Sequence, residues 1–481
     1  MIQAALAPGD ALILEGAGPA PAEIRLEGPR ARVAGSIAET DAGWRATVPL
    51  RVSRWGGPLL ALPSGTYRVV MDGRDVHAAD LVAFPRAVGE MLAVEVQGGR
   101  VIVSPPLTDA DASAGGQSAL ESIYARASSP LENAVLFESF YGRNASCNPR
   151  AIDAELARVA PGVTRYWSVA DRSVEVPDGA VPVVEGSPEW WRVRGVARLL
   201  VVNDWLRKRF VRRPGQRVLQ TWHGTPLKRL ALQRPGFDPR RVLAVIRESR
   251  RWDVLLAQNP YAAGILAKAY AFGRRPIWVE GYPRNDVLAT GDRDRIRRGL
   301  GVSPQERVLL YAPTWRDDRD QMVDFLDLER LAADAGAVVL VRGHSRTLVP
   351  GTDSIGSRVI DVTAYPDTSA LLLAADALIT DYSSVMFDFT VTGKPVYFFA
   401  PDLDHYRGKL RGFYFDLAAR APGPLTSTQE ELTAALTDAS TPERYADRYA
   451  SWVARFNARD DGRAAERVVA RLLDQGMILR D

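Results

Sequence analysis

The chain has 481 residues, with 61 Lys and Arg against 58 Asp and Glu, and a formal net charge of +3. Hydrophobic residues make up 46% and charged residues 25%, the balance of ordinary soluble globular proteins. This composition excludes a disordered chain, a fibrous protein and a multi-span membrane protein. The charge is too small to indicate nucleic-acid binding by itself.

The cellular compartment is indicated by the cysteine content and the N-terminus. Cys147 is the single cysteine, so we expect neither an internal disulfide nor a cysteine metal cluster, and the reducing cytoplasm fits. The first sixteen residues lack a basic segment and carry Asp10 inside the apolar stretch, which argues against a signal peptide. No window approaches the ~18 uncharged apolar residues of a membrane span, so any membrane contact is expected to be peripheral.

The N-terminal part of the chain, residues 1–105, has the pattern of β structure. Short apolar runs are interrupted by turn residues about every ten positions. The clearest is a hairpin in which LAVEVQ and RVIVSP flank Gly98-Gly99. We predict a small β-sandwich-like domain without a catalytic constellation, separable from catalysis.

The rest of the chain follows a different pattern. Residues 106–119 are small and polar, with Pro, Gly and Asp, and are predicted to be a linker. From residue 120, strand-like apolar runs alternate with helix-length amphipathic stretches, and the alternation restarts after GYPRNDVL at 281–288. This predicts an α/β fold with two doubly wound Rossmann-like domains, over 120–284 and 285–481, that face a cleft. Ligands of such sheets bind beyond the carboxyl ends of the strands.

The first candidate site follows the predicted strand in RVLQTWHGTPLKRL. His223 lies at the strand end and suits a general base, because the pKa of a free histidine is near neutrality. Gly224 permits close approach of the backbone to a ligand, and Pro226 is typical of a helix start. Lys228 is either a phosphate ligand or solvated. The alternative for His223 is a histidine that only fills a turn.

Two further strand ends carry polar residues. LLYAPTWRDD places Pro313 and Thr314 after a strand, and VVLVRGHS places Arg342, Gly343 and His344 after another. Hydroxyl and guanidinium groups there suit phosphate oxygens, and His344 suits stabilisation of a developing negative charge. The alternatives are an ordinary strand-to-helix turn and a surface loop.

The fourth candidate site lies in ADALITDYSSVMFDF. A strand ends at Asp381, and Ser383 and Ser384 open a helix whose free amides attract anions. Asp388 shares a helical face with Ser384 and suits hydroxyl groups such as those of a polyol or ribose. The alternative is an ordinary capped helix.

Taken together, these segments resemble the CDP-glycerol glycerophosphotransferase family of teichoic-acid polymerases and primases. The resemblance spans about 135–415. The matching stretches are FESFYGRNASCNPRAI, QTWHGTPLKRL, GYPRNDVL, YAPTWRD, DYSSVMFDF and GKPVYFF.

The resemblance implies a glycosyltransferase-B-like fold and transfer of a polyol phosphate from a CDP-polyol to an acceptor hydroxyl, with release of CMP. It implies that His223 and His344 are the family's two essential histidines. Ser345 departs from the proline that the family often has. The implied donor-contacting positions are Gly224, Thr225, Pro226, Leu227, Arg284, Pro313, Thr314, Arg342, Gly343, Ser383, Ser384 and Asp388.

The resemblance also implies partners and a location. The partners are a CDP-glycerol or CDP-ribitol donor and a lipid-linked polyol-phosphate or glycan acceptor, with no nucleic acid. No cofactor and no metal ligand is identified, although a divalent metal remains open. The expected location is the cytoplasmic face of the cell membrane. The basic and tryptophan-containing stretch 190–217 is the predicted contact with the anionic membrane surface.

Two other functions remain open at this point. One is a nucleotide-sugar glycosyltransferase of the same architecture, and the other is a non-catalytic glycan-binding module. The sequence also leaves open the choice between glycerol and ribitol, and between a primase and a polymerase.

Overall fold

The computed structural model confirms the predicted fold class. Two antiparallel sheets at the N-terminus are followed by two parallel sheets with helices on their faces. The structure describes residues 1–28, 30–314, 326–343, 358–403 and 412–480.

The N-terminal region is built of short antiparallel strands. Its strands are β1 (Ile2–Ala7), β2 (Ala11–Gly16), β3 (Ile24–Glu27), β4 (Arg32–Ala34), β5 (Ser36–Thr40), β6 (Gly43–Pro49), β7 (Arg51–Ser53), β8 (Leu59–Ala61), β9 (Gly65–Met71), β10 (Arg74–Asp75), β11 (Phe84–Val88), β12 (Ala93–Gln97) and β13 (Arg100–Ser104).

These strands form two sheets that share one apolar core. One sheet has the order β1-β2-β6-β5 and the other β11-β12-β13-β9-β3-β4, while β7 and β8 pair as a separate hairpin. The alternation of buried and exposed residues explains the arrangement: Trp44, Ala46 and Val48 of β6 are buried and their neighbours are not. The predicted hairpin is confirmed, with Gln97 opposite Arg100 across the Gly-Gly turn.

The predicted linker is largely helical. Helix α1 (Asp109–Ala112) and helix α2 (Ala114–Arg126) occupy most of this stretch. The Thr108 hydroxyl accepts a hydrogen bond from the amide of Asp111, and the Ser113 hydroxyl accepts one from Gly116. Composition alone favoured a linker because small polar residues serve both as linkers and as helix caps.

The first parallel domain contains a seven-stranded sheet. Its strands are β14 (Glu132–Glu138), β15 (Thr164–Val169), β16 (Val181–Val184), β17 (Ala197–Val202), β18 (Arg217–Gln220), β19 (Val254–Ala257) and β20 (Ile277–Val279). Its helices are α3 (Cys147–Val159), α4 (Pro188–Val196), α5 (Pro239–Ser249) and α6 (Pro260–Ala269).

The strands of this sheet follow the order β16-β15-β14-β17-β18-β19-β20. The order reverses beside β14, which is the position where doubly wound sheets open a crevice for ligands. Inner strands such as β19 are buried along their whole length, because helices cover both faces.

The second parallel domain contains a six-stranded sheet in the order β23-β22-β21-β24-β25-β26. Its strands are β21 (Val308–Ala312), β22 (Val338–Val341), β23 (Val359–Asp361), β24 (Ala377–Thr380), β25 (Val396–Phe399) and β26 (Leu425–Thr426). The described helices from residue 286 onwards are α7 (Asp286–Thr290), α8 (Arg293–Gly299), α9 (Leu328–Ala335), α10 (Thr368–Ala374), α11 (Val385–Phe389), α12 (Leu417–Arg420), α13 (Gln429–Thr437), α14 (Thr441–Arg444), α15 (Ala446–Phe456) and α16 (Ala464–Asp474).

The C-terminal helix returns to the first parallel domain. Val468, Val469 and Leu472 of α16 belong to the apolar core of that domain, and α16 packs against α3. The carboxylate of Asp286 accepts hydrogen bonds from the amides of Ala464 and Ala465, at 3.0 and 2.8 Å. The sequence had assigned all of 285–481 to the second domain, because an amphipathic helix does not reveal which core it covers.

The predicted membrane contact at 190–217 is partly incompatible with the structure. Trp190 and Trp191 lie in the core on α4, and the indole of Trp190 donates a hydrogen bond to the hydroxyl of Ser168 at 2.8 Å. Arg212 pairs with Asp253, so it also has a structural partner. Among the described residues, no helix combines the length and the apolar character that a membrane span requires.

Candidate active site

His223 lies at the carboxyl end of β18, three residues after the strand ends. Its Nδ1 atom is 2.6 Å from the carbonyl oxygen of Asn203, which follows the neighbouring strand β17. The indole of Trp222 stacks on the imidazole with 4.7 Å between ring centroids. Two adjacent strand ends therefore hold one imidazole in a fixed orientation.

This contact determines which ring nitrogen carries the proton. A carbonyl oxygen only accepts, so Nδ1 donates to Asn203, and the Nε2 atom of the neutral ring presents a lone pair. Burial lowers the pKa of His223, and the carboxylate of Asp204 and the carbonyl of Asn203 oppose that shift. The net direction is downward, so the ring is neutral at physiological pH and suited to accept a proton.

The lowered pKa of His223 predicts the pH dependence of a reaction in which this imidazole is the general base. We expect the acidic limb of the kcat/KM profile to lie below pH 6.5, the ordinary value for histidine. The rate falls as pH decreases through the lowered pKa, because protonation removes the Nε2 lone pair. The same shift makes the free energy of unfolding decrease as pH falls below 6.5, since the unfolded chain binds this proton more readily. A pH–rate profile with an acidic limb above pH 6.5 would contradict a general-base role for His223.

Backbone strain is concentrated around His223. Four non-glycine residues in the left-handed region flank it, with φ of 54° at Trp222, 46° at Phe140, 59° at Tyr141 and 63° at Cys147. The Phe140 ring lies 5.6 Å from the imidazole, and the Tyr141 hydroxyl donates to Asp204 at 2.7 Å. Such conformations each cost on the order of 1–3 kcal/mol and are typical of functional sites.

Arg284 connects the two sides of the cleft. Its Nη1 atom donates to the carbonyl oxygen of His223 at 2.9 Å and to the Cys147 sulfur at 3.3 Å. Its Nη2 atom is 2.6 Å from the carboxylate of Asp388 on α11 of the second domain. Burial lowers the pKa of Arg284, but Asp388, Cys147 and Tyr282 together outweigh burial, and the net pKa is raised. Asp388 is therefore engaged with a guanidinium in this structure.

The loop after His223 crosses from the first domain to the second. Gly224 is packed so closely that a Cβ atom there would lie 2.6 Å from the hydroxyl of Ser384. Pro226 is buried, and its carbonyl accepts a hydrogen bond from the hydroxyl of Tyr261 at 2.9 Å. Leu227 belongs to the apolar core of the second domain. Leu227 thus anchors the loop by packing.

Thr225 stabilises this loop through buried hydrogen bonds. Its hydroxyl is buried, donates to Gln258 at 2.5 Å and accepts from Asn259 at 3.0 Å. Gln258 in turn donates to the carboxylate of Asp460 at 2.9 Å, and Asp460 also accepts from the amide of Tyr282 at 3.0 Å. Burial raises the pKa of Asp460 to about 6. This network joins the loop after His223 to the two segments in which the chain passes between the domains, near Tyr282 and near Asp460.

The second domain contributes strand ends that face this loop. The amide of Thr314 donates to both oxygens of Asp381, at 2.9 and 3.0 Å, and Pro313 is half-buried. The ammonium of Lys228 lies 3.4 Å from the Thr314 hydroxyl. The Pro313-Thr314 turn is thereby fixed beside the loop that follows His223.

Arg342 and Gly343 follow β22 as predicted. The guanidinium of Arg342 donates to the carbonyl oxygens of Val362 and Tyr365, at 3.3 and 2.9 Å, and burial lowers its pKa to about 10. The amide of Gly343 donates to the Thr363 hydroxyl at 3.0 Å. His344 and Ser345 lie outside the described residues.

Ser383 and Ser384 precede α11 and are half-buried at the cleft. The predicted helix is short, five residues. Within the described part of the chain, no group of three or more His, Cys, Asp or Glu side chains is arranged to hold a metal ion.

Several residues of this site were not identified from the sequence. Asn148 donates to the carbonyls of Thr221 and Trp222 and accepts from the amide of Arg284, so it joins three segments. Asn203 directly follows a predicted strand, so its position at a strand end could have identified it as a candidate. Asp460 lies between two helices, and its sequence position carried no signal.

Two doubly wound domains with polar strand ends facing one cleft define a glycosyltransferase-B-like transferase architecture. The family model "CDP-Glycerol:Poly(glycerophosphate) glycerophosphotransferase" matches residues 123–474. The chain belongs to this family, so the family that the sequence resembled is confirmed.

Curated relatives and solved structures agree with this assignment. The chain is 37% identical over 357 residues to the teichoic acid poly(glycerol phosphate) polymerase of Bacillus subtilis, covering 70% of this chain and 48% of that protein. It is 36% identical to the teichoic acid glycerol-phosphate transferase of Staphylococcus aureus, covering 70% and 92%. A structure of the wall teichoic acid polymerase TagF is similar with a TM-score of 0.69 at 31% identity, covering 75% and 94%.

The relatives differ in length. This chain spans about half of the Bacillus subtilis polymerase and most of the Staphylococcus aureus transferase. The family match begins at residue 123, so the N-terminal β strands lie outside it.

Proposed function

We propose that this protein transfers glycerol phosphate from CDP-glycerol to a hydroxyl of a lipid-linked glycopolymer and releases CMP. The observation that carries the proposal is His223, an oriented neutral imidazole at a strand end within the matched segment. The nucleotide-sugar glycosyltransferase and the non-catalytic module are less favoured, because the matched family is named for glycerophosphate transfer.

Glycerol is favoured over ribitol by the relatives. The matched proteins named for glycerol phosphate are 33–37% identical to this chain. Those named for ribitol phosphate are 26–27% identical and match shorter parts of it.

The proposed step is an in-line displacement at phosphorus. His223 Nε2 takes the proton of the acceptor hydroxyl, whose oxygen forms a bond to the phosphorus that bears glycerol. The bond from that phosphorus to the CMP oxygen breaks, and CMP leaves with the electron pair. Such transfers depend mainly on positioning and on stabilisation of charge. We assign that stabilisation to His344, Arg342 and the segment that begins at Ser383.

Donor contacts are proposed for the residues that border the cleft. Pro313, Thr314, Gly343, Ser383 and Ser384 are half-buried and are proposed to contact the donor. Gly224, Thr225, Pro226 and Leu227 are proposed to act through the shape of the loop, since all four are buried. Arg284 and Asp388 are proposed to hold the cleft together.

We expect the double variant Ser383→Ala and Ser384→Ala to bind the donor about a hundredfold or more weakly. Each hydroxyl bond to a charged phosphate contributes about 1.5–3 kcal/mol. Calorimetric titration with CDP-glycerol measures the change. Ser440→Ala removes an exposed hydroxyl outside the site and serves as the control. Unchanged affinity in the double variant would place the phosphate contacts elsewhere.

The reaction is tested by incubation with a lipid-linked acceptor analogue and one donor at a time. The donors are CDP-glycerol, CDP-ribitol, a UDP-sugar and a GDP-sugar, and mass spectrometry identifies the products. Addition of glycerol phosphate with release of CMP supports the proposal. Turnover of only a nucleotide sugar, or of no donor, contradicts it.

We further propose that the protein docks peripherally on the cytoplasmic face of the membrane through one basic face. This face comprises Lys208, Arg209, Arg240 and Arg247, all exposed. The amide of Leu206 donates to Glu248 at 2.7 Å, which holds the 207–209 segment against α5.

Two apolar residues accompany the basic face. Phe237 and Leu243 are 86% and 69% exposed. Exposed apolar side chains beside guanidinium groups are typical of surfaces that bind an anionic leaflet.

Charge reversal of the basic face tests the docking. We expect Lys208→Glu, Arg209→Glu, Arg240→Glu and Arg247→Glu combined to weaken binding to phosphatidylglycerol vesicles about a hundredfold or more, at ~1 kcal/mol per basic residue. Vesicle sedimentation measures this. The control reverses four exposed arginines elsewhere, namely Arg295, Arg298, Arg330 and Arg448. An equal loss in both variants would show that only net charge matters.

A further inference from the structure

The hairpin of β7 and β8 joins the N-terminal β region to both parallel domains. Its tip, Arg54–Pro58, lies outside the segment that the family model matches. The N-terminal region has no candidate catalytic residue, and its sequence predicts a region that is separable from catalysis. The tip nevertheless contacts both parallel domains.

On one side, this region is fixed to the first parallel domain. The Arg54 guanidinium donates to the carbonyl of Ser173 at 2.9 Å. The carboxylate of Asp171, just beyond β15, accepts from the amide of Ser64 at 2.8 Å and from Arg30 at 3.3 Å. Asp171 is buried, so these contacts are sheltered from solvent. They lie at the carboxyl end of β15, on the cleft side of the sheet.

On the other side, the tip reaches the second parallel domain. The Trp55 ring meets the Tyr365 ring edge-on, with 5.5 Å between centroids and 64° between planes. Both side chains pack against the apolar core of that domain. A Cβ atom at Gly299 on α8 would lie 3.5 Å from the Trp55 carbonyl, so the tip also contacts α8.

Tyr365 connects this contact to the active site. Its carbonyl oxygen accepts the hydrogen bond from Arg342 Nη1 at 2.9 Å. Arg342 in turn lies at the end of β22, two residues before His344. The Tyr365 carbonyl therefore helps to fix the guanidinium of Arg342 at this strand end.

The turn itself holds Trp55 in a strained conformation. Its φ is 55°, and the amide of Gly57 donates to the Arg54 carbonyl at 2.9 Å while the Ser53 hydroxyl donates to the Gly57 carbonyl at 2.6 Å. A non-glycine residue adopts this conformation only where its surroundings fix it.

We propose that Trp55 is a positioning residue for the cleft. It fixes Tyr365, and through Tyr365 the Arg342-Gly343 strand end, relative to the first domain that carries His223. The N-terminal β region is accordingly part of the catalytic unit. The effect on transfer rests on the proposed function, whereas the effect on the position of the strand end does not.

The test compares three variants of the full chain. Trp55→Ala removes the aromatic contact, and Trp55→Phe retains an aromatic ring. Leu59→Ala is the matched control, because Leu59 is on the same hairpin and is 64% exposed. We expect Trp55→Ala to raise the KM for CDP-glycerol about two- to tenfold, the range that an aromatic pair accounts for. Trp55→Phe is expected to keep the KM for CDP-glycerol close to the wild-type value, and Leu59→Ala is expected to leave this KM unchanged.

Hydrogen–deuterium exchange gives a readout independent of activity. We expect Trp55→Ala to accelerate exchange of the amides in 359–366 and at Gly343, and neither Trp55→Phe nor Leu59→Ala to do so. Exchange that changes only within the hairpin, or a lower melting temperature with unchanged KM, would overturn the inference. A wild-type protein that does not turn over CDP-glycerol would overturn the proposed function, and the exchange pattern would then decide the inference alone.

Discussion

His223→Ala is expected to reduce transfer from CDP-glycerol by about 10²–10⁴-fold, the usual contribution of a general base. The imidazole is the group whose lone pair faces away from Asn203 and is proposed to accept the acceptor proton. Donor affinity is expected to change little, because the proposed phosphate contacts come from other residues. Initial rates of CMP release and calorimetric titration with CDP-glycerol separate the two quantities.

The matched control for this variant is His77→Ala. His77 is exposed in the N-terminal β region and belongs to no site proposed above. The control is expected to retain wild-type rates. Near-normal turnover by His223→Ala would refute the assignment, and equal losses in both variants would point to a defect in folding.

Arg284→Ala is expected to destabilise the protein by about 3–5 kcal/mol, because it leaves a buried carboxylate without its partner. The Asp388 side chain is only 2% exposed and pairs with Arg284 at 2.6 Å. The variant also loses the hydrogen bond to the His223 carbonyl, so transfer is expected to fall even where the fold is retained. Urea unfolding measures stability, and rates at a temperature below the transition measure activity.

Arg158→Ala is the matched control, because it removes an ion pair that is exposed to solvent. Arg158 pairs with Glu155 one helical turn away, with its side chain 66% exposed. Exposed pairs of this kind contribute little to stability, because water and salt screen the two charges. A comparable loss of stability in both variants would mean that the Arg284–Asp388 pair is not shielded from solvent as the structure places it.

The elements of this protein follow from local patterns in its sequence. The strand runs around Leu309, Leu340 and Ile379 are buried on both faces, and each was readable as a short apolar segment between turn residues. The Gly98-Gly99 hairpin was readable because a two-residue turn fixes the pairing of its flanking strands. His223 was identifiable as a candidate site residue for a similar reason, since the end of a parallel strand is recognisable from the strand itself.

Contacts between distant segments were decided only by the tertiary structure. Arg284 and Asp388 are 104 residues apart, and Gln258 and Asp460 are 202 apart. The sequence placed Arg284 at the joint between domains but did not indicate its partner. Likewise, the amphipathic pattern of α16 was visible, but the core that it covers was not.

Local sequence likewise did not determine which side chains are exposed to solvent. Trp190 and the arginines near it looked like a membrane contact, since tryptophan and arginine occur both in cores and at interfaces. The position of Trp55 between two domains likewise had no local signature. Periodicity along a chain reports which side of an element is apolar. Which partner meets that side depends on the packing of elements far apart in sequence, and that information exists only in the folded chain.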